Sequence, residues 1–214
     1  MDRIGREDLA PLFESLRDVF AAQRDFLIDL DGKVGDSDLG LTMNKAFAAA
    51  SESVAGNAVD PLGRTIQLAG MAIAKAAPST MGTLMATGFM RGGKALEAVS
   101  EIGTEQMAAF WTAFKNGVVE RGKAQPGDKT VLDVLVPICT ALDEAVIDGA
   151  PLSSALDRAA KAAAEGLEAT KAMVAQHGKA ACFAQKSLGL QDAGATVGFF
   201  LIEAISGFVR QQRS

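Results

Sequence analysis

The stretch Asp31-Gly32-Lys33-Val34-Gly35-Asp36-Ser37-Asp38-Leu39-Gly40 joins one helical pattern to the next. It sets three carboxylates among three glycines. Carboxylates this close repel one another, and a chain tolerates the crowding when a cation sits among them. Mg²⁺ takes oxygen ligands and is commonly held by one or two carboxylates together with substrate phosphates. Glycine permits positive φ and close approach of the backbone to a ligand. From these ten residues alone, a metal site and a plain polar turn between helices are equally good readings.

The chain around this loop is helical in pattern. Ala, Leu and Met are abundant, and the period-two alternation of a strand is nearly absent. The spacing predicts a first helix over about 7–29, with Leu9, Leu12, Phe13, Leu16, Phe20, Phe26 and Leu27 as its apolar stripe. Further helices are expected over about 40–55, 61–77, 82–99, 104–121, 130–148, 151–174 and 193–211. The segment 56–61 separates the second from the third, with Asp60-Pro61 as N-cap and first-turn residue. Gly149 closes the sixth helix and Pro151 opens the seventh. Asp38 is placed to cap or precede the second.

Eight helices on short loops predict one all-α domain over 1–214, antiparallel and up-and-down. In that arrangement alternate loops share an end. The acidic loop then lies beside Pro78-Ser79-Thr80-Met81-Gly82, the 122–129 loop and the polar 176–191 loop. These are the loops rich in Gly, Ser/Thr and Lys, so the chemistry collects at one rim. Each also delivers a helix N-terminus, with Gly40, Gly82, Thr130 and Gly194 at such starts, and helix N-termini favour anions.

Composition narrows the classes. Of 214 residues, 49% are hydrophobic and 22% charged, and the net charge is −5 without a basic cluster, which argues against nucleic acid. The first residues carry no apolar signal-peptide core. No uninterrupted apolar run reaches the roughly 18 residues that span a bilayer, because Glu203 and Gly207 divide the longest. Cys139 and Cys182 read as buried free thiols in a reducing, cytoplasmic setting. Met43, Met71, Met85 and Met90 read as core residues, and Met81 as part of the rim.

Several chemistries fail on spacing. An EF-hand starting at Asp36 would put Phe47 where a bidentate Glu is required, and no Walker loop occurs. His177, the single histidine, reads as a surface residue rather than a base. Lys129 and Lys179 are phosphate-contact candidates set against the ordinary solvated loop lysine.

Three motifs in fixed order carry a resemblance over the whole chain. They are Leu30-Asp31-x-x-x-Gly35-Asp36-x-Asp38-x-Gly40-x-x-Met43-Asn44, then Arg121-Gly122-Lys123-Ala124-x-Pro126-Gly127-Asp128-Lys129-Thr130-x-x-Asp133, and Gly189-x-Gln191-Asp192-x-Gly194-Ala195-Thr196. Together they resemble the L subunit of dihydroxyacetone kinases. The resemblance implies an eight-helix barrel holding ADP or ATP at one rim. Asp31, Asp36 and Asp38 would hold two Mg²⁺ ions. Nucleotide contacts carried over by position are Leu39, Gly40, Leu41, Thr42, Thr80, Met81, Gly122, Val131, Lys179, Asp192, Ala193 and Gly194, with Ser79 as an alternative hydroxyl and Thr130 at the helix start. A K-type subunit would hold the ketose, dihydroxyacetone or a short relative such as a tetrulose. Whether the donor is ATP or a phosphotransferase-system phosphoprotein stays open, as does a homodimer. Leu39 stands where the family has His, Met81 where it has Ser, Ala193 where it has Pro, and Lys179 where it has Arg. These departures sustain a second reading, a nucleotide-bound regulatory or adaptor module without turnover.

Overall fold

The computed structural model describes residues 2–57 and 60–212. Among them the regular structure is helical: α1 (Leu9–Ala22), α2 (Arg24–Gly32), α3 (Leu39–Gly56), α4 (Leu62–Ala76), α5 (Thr80–Ala95), α6 (Thr104–Gly122), α7 (Leu132–Ile147), α8 (Leu152–Ala169) and α9 (Ala193–Gln211). Two 3₁₀ segments, Thr170–Ala172 and Lys179–Ser187, lie in the connector before α9.

The first expected helix is two helices. Leu9, Leu12, Phe13, Leu16 and Phe20 bury one stripe of α1. Continued by three or four residues, that stripe would fall on Gln23 and Arg24. The chain bends at Gln23 instead, so that Leu27 and Leu30 of α2 can pack toward α3. Phe26 drops out of the stripe and stays 46% exposed, its ring against the edge of Phe200 at 6.1 Å.

Other boundaries shift for local reasons. Pro61 flanks α4 with ψ 145°, outside the helical region, so the helix starts at Leu62 and Asp60 is not its N-cap. Ala58 and Val59 of the same break lie outside the described residues. The fourth expected helix ends at Ala95 and the seventh at Ala169. Gly149 closes α7 with φ 63°. Inside α7, Pro137 removes an N–H that would have bonded the Asp133 carbonyl. Gly166 of α8 comes directly against that carbonyl and leaves no room for a Cβ.

Neighbour follows neighbour around a closed ring: α1 packs on α3, α3 on α4, and so on to α8 on α9, with α9 returning to α1. Counting α1 and α2 as one bent member, the ring has the eight members read from the sequence. Its interior is a continuous apolar core that includes Phe20 stacked on Phe47, Phe89 edge-on to Phe114, and buried Trp111. By length and composition α9 could cross a membrane. Here its apolar face packs against α1, α7 and α8. Cys139 is buried, as expected, whereas Cys182 is exposed in the connector. Met43 and Met85 are buried, whereas Met71 is exposed.

The two ends of the ring differ. One end is tied by backbone bonds between Ile4 and Ile102 and by the Thr104 hydroxyl donating to the Ala150 carbonyl at 2.8 Å. The other end opens into a cavity.

Candidate functional site

The cavity encloses about 290 Å³, near the lower bound of small-molecule sites. Its walls come from all four loops that the up-and-down argument put at one rim. Leu39, Leu84, Val118, Val131 and Leu132 make its apolar side. Asp31, Asp36, Asp38, Thr80, Thr130 and Lys179 make its polar side.

The acidic loop is built around Asp31. Its Oδ2 accepts from the backbone N–H of Asp38 at 3.1 Å and of Leu39 at 3.4 Å, so Asp31 caps α3 from seven residues upstream. Asp38 itself makes no side-chain cap. It is left to face the cavity. One carboxylate oxygen from each of Asp31, Asp36 and Asp38 can be chosen so that all lie within 4.8 Å of one another. Lys179, from the far connector, pairs its ammonium with Asp36. A cation is thus already seated on this cluster. The oxygen-only donors and the exposure of Asp36 and Asp38 suit a hard divalent ion.

The glycines of this loop serve packing. None has positive φ; the left-handed residue is Ser37, at φ 62°. A Cβ on Gly35 would sit 2.7 Å from the Asp31 carbonyl oxygen, and one on Gly40 would overlap the Arg24 carbonyl. Gly40, Leu41 and Thr42 lie outside the cavity wall, and Leu41 is solvent-exposed. Leu39, Ser79, Thr80, Met81, Gly122, Thr130, Val131, Lys179, Asp192, Ala193 and Gly194 all line the cavity.

Across from the acids lie the helix starts. Ser79 Oγ caps α5 by accepting from Gly82 N at 3.0 Å. Asp192 Oδ2 caps α9 by accepting from Ala195 N at 2.6 Å. Burial pushes the Asp192 carboxyl up to about 6, against the pull of its N–H donors and of Lys129. Thr130 precedes α7, which begins at Leu132. There Asp133 accepts from Gly127 N at 2.6 Å and Thr130 N at 2.7 Å, shaping the loop from behind. Position 81 puts a thioether, not a hydroxyl, beside Gly194: a Cβ there would stand 2.8 Å from Met81 Cε. Leu39 turns its side chain into the core, 7% exposed.

His177 is exposed, in keeping with its reading as a surface residue, and on the cavity wall its Nε2 lies 2.9 Å from Asp128 Oδ2. Lys129 is neither solvated nor aimed at an anion. It is 2% exposed, and its ammonium donates to the carbonyls of Thr170, Met173, Ser187 and Leu190 at 2.6–3.2 Å. Burial lowers its pKa, and Asp192 partly offsets this. No local pattern signals such a role, because its partners stand 41 to 61 positions away.

Comparison with known proteins shows the family and the fold. The sequence pattern of the DAK2 domain matches residues 33–207. The chain is 31% identical to the ADP-binding subunit DhaL of the PEP-dependent dihydroxyacetone kinase of Escherichia coli, over 88% of this chain and 90% of that one. It is 30% identical to L-erythrulose kinase of Pectobacterium atrosepticum and 31% to D-erythrulose kinase of Mycolicibacterium smegmatis, and spans 34% of each. The crystal structure of the dihydroxyacetone kinase from C. freundii, in complex with AMP-PNP and Mg²⁺, superimposes with a TM-score of 0.70 at 24% identity. That match covers 93% of this chain and 33% of the other. The likeness is one of fold.

Proposed function

The chain belongs to the DAK2 domain family, and from that premise we propose that it is the nucleotide-binding subunit of a two-part kinase for dihydroxyacetone or a similarly short ketose. The observation that carries the proposal is the meeting of three carboxylates with three helix starts across one cavity. An apolar slot for a base adjoins a polar rim for a phosphate chain.

Asp31, Asp36 and Asp38 would hold Mg²⁺. When bound, the ion neutralises charge on the phosphoryl group and polarises it. The residues of the chain do the rest by positioning. Backbone N–H groups at the starts of α5, α7 and α9 present positive dipole ends to the phosphates. Thr80 and Thr130 offer hydroxyls, and Lys179 brings a positive charge to the same rim. Leu39, Val118 and Val131 exclude water from the inner wall. A ketose activated on a separate K-type subunit would need no general base from this wall, where His177 is paired with Asp128.

Calorimetry with ADP and Mg²⁺ tests the reading. The parent should bind, and Asp36→Ala should bind at least about tenfold more weakly, the loss of one charge-assisted ligand being worth that much. Equal binding by both would overturn the proposal. Leu39 and Met81, which stand where the resemblance implies a His and a Ser, favour the regulatory reading instead. Turnover of a ketose with the K-type partner and a phosphoryl donor would rule that reading out.

A further inference from the structure

The connector between α8 and α9 is the longest irregular segment among the described residues, and it brings Lys179 and His177 to the cavity. Little apolar packing holds it: Phe183 and Leu188 are both exposed. What ties it down is polar. Gly189 N donates to the Lys171 carbonyl at 2.8 Å, Ala175 N to Ser187 Oγ at 2.9 Å, and Gln176 N to the Asp128 carbonyl at 3.0 Å.

At the centre of these bonds stands the ammonium of Lys129. Two of its acceptors, Thr170 and Met173, lie where the chain leaves α8. The other two, Ser187 and Leu190, lie where it returns to α9. One cation therefore gathers both feet of the connector. Four carbonyls around one positive charge form the kind of cage that coordinates a monovalent cation. The backbone supports the same assignment. Lys129 sits at φ 60°, a left-handed conformation that a residue with a Cβ adopts only when its surroundings impose it.

We propose that Lys129 is a positioning residue. It acts as a tethered monovalent cation that clamps the two feet of the 173–191 connector and so holds Lys179 and His177 at the cavity. Once its head group is removed, methylammonium can occupy the cage. The consequence for nucleotide binding rests on the function proposed above; the clamping of the connector does not.

The test compares the parent with Lys129→Ala and Lys129→Met. Tryptic cleavage within 173–191, after exposed Lys179 or Lys186, is followed beside ADP affinity with Mg²⁺ and far-UV dichroism. Both variants should keep the helical signal and lose connector protection by about tenfold or more, as expected when a locally stable unit is released. ADP should bind about tenfold more weakly, the loss expected when charged-group hydrogen bonds that position a site are removed. Methylammonium should restore both properties in Lys129→Ala and neither in Lys129→Met, whose side chain takes up the space that the methyl group of methylammonium needs; tetramethylammonium should restore nothing. A merely structural lysine would not show that selectivity.

Unchanged cleavage, or cleavage that methylammonium leaves as it was, overturns the clamp. Faster cleavage with unaltered ADP affinity overturns the positioning role. If the parent binds no ADP, the proposed function falls, and the cleavage experiment still decides the clamp. Should either variant not fold, Lys129→Gln replaces it, keeping two N–H donors without the charge. Its connector must then be cut faster than the parent's, or the clamp is refuted.

Discussion

Asp31 Oδ2 stands 3.1 Å from the backbone nitrogen of Asp38. One carboxylate therefore serves as the N-cap of α3 while sharing a cluster with Asp36 and Asp38. The two duties separate by substitution. Asp31→Asn keeps an acceptor for the cap, whereas Asp31→Ala removes it at a cost of about 1 kcal/mol. We expect Asp31→Ala to melt a few degrees lower and Asp31→Asn close to the parent. Both should lose Mg²⁺-dependent ADP binding. An Asn variant that bound ADP like the parent would show that the charge is not needed.

Gly40 gives the complementary case, a motif residue whose work is packing. Its Cα faces the Arg24 carbonyl where α2 crosses α3, and a methyl group has no space there. Gly40→Ala should be destabilised by about 1–3 kcal/mol, the usual cost of overpacking. Urea unfolding without ligand measures this directly. A variant of parental stability that lost only ADP affinity would return Gly40 to the ligand.

Asp192 makes stability depend on pH in the less common direction. Its carboxyl titrates near 6 in the fold, against an ordinary value of 3.8. Between those values the folded chain keeps a proton that the unfolded chain releases. Its contribution is therefore greatest below about pH 4 and is lost as the pH rises toward 6, on the order of 3 kcal/mol in all. Asp192→Asn keeps the cap and has no such titration. Unfolding free energies of the two proteins at pH 4, 5, 6 and 7 should diverge with rising pH, the parent losing ground. Parallel curves would contradict the assignment.

The cysteines should react in two classes. Cys139 is buried, and its thiol is pushed up to about 11 by that burial. Cys182 is exposed. An aromatic disulfide reagent at neutral pH should titrate one thiol in the native protein and a second only in denaturant, because the thiolate is the reacting species. Two fast thiols in native conditions would mean that α7 opens readily.

His177 joins two loops across the cavity mouth through Asp128. His177→Phe should leave the melting temperature within about 2 °C, since an exposed pair contributes under about 1 kcal/mol. It should loosen the connector less than Lys129→Ala does, as read by tryptic cleavage. Equal loosening would shift the clamp from the lysine to the histidine.

Much was written in the sequence. The 3.6-residue stripes, the Gly and Pro breaks and the short connections specify an all-α ring. The alternation of its loops is enough to bring Asp31, Thr80, Thr130 and Asp192 to one end. These are local signals, and helical periodicity is a local property of the chain. The motifs around Asp31 and Asp192 also lie on the cavity wall.

What only the tertiary structure decided are the relationships between residues far apart in the chain. Gly40 reads in the sequence as a phosphate-binding glycine, and only the fold sets the Arg24 carbonyl of α2 against it. Asp38 looked like the cap that Asp31 provides. Lys129, read as a solvated or anion-facing lysine, proved to be bound to carbonyls 41 to 61 residues away. Backbone carbonyls are common to every residue, so no sequence pattern marks which four will converge. Their positions are set by how α8, the connector and α9 pack around the ring, and that packing comes from the core as a whole.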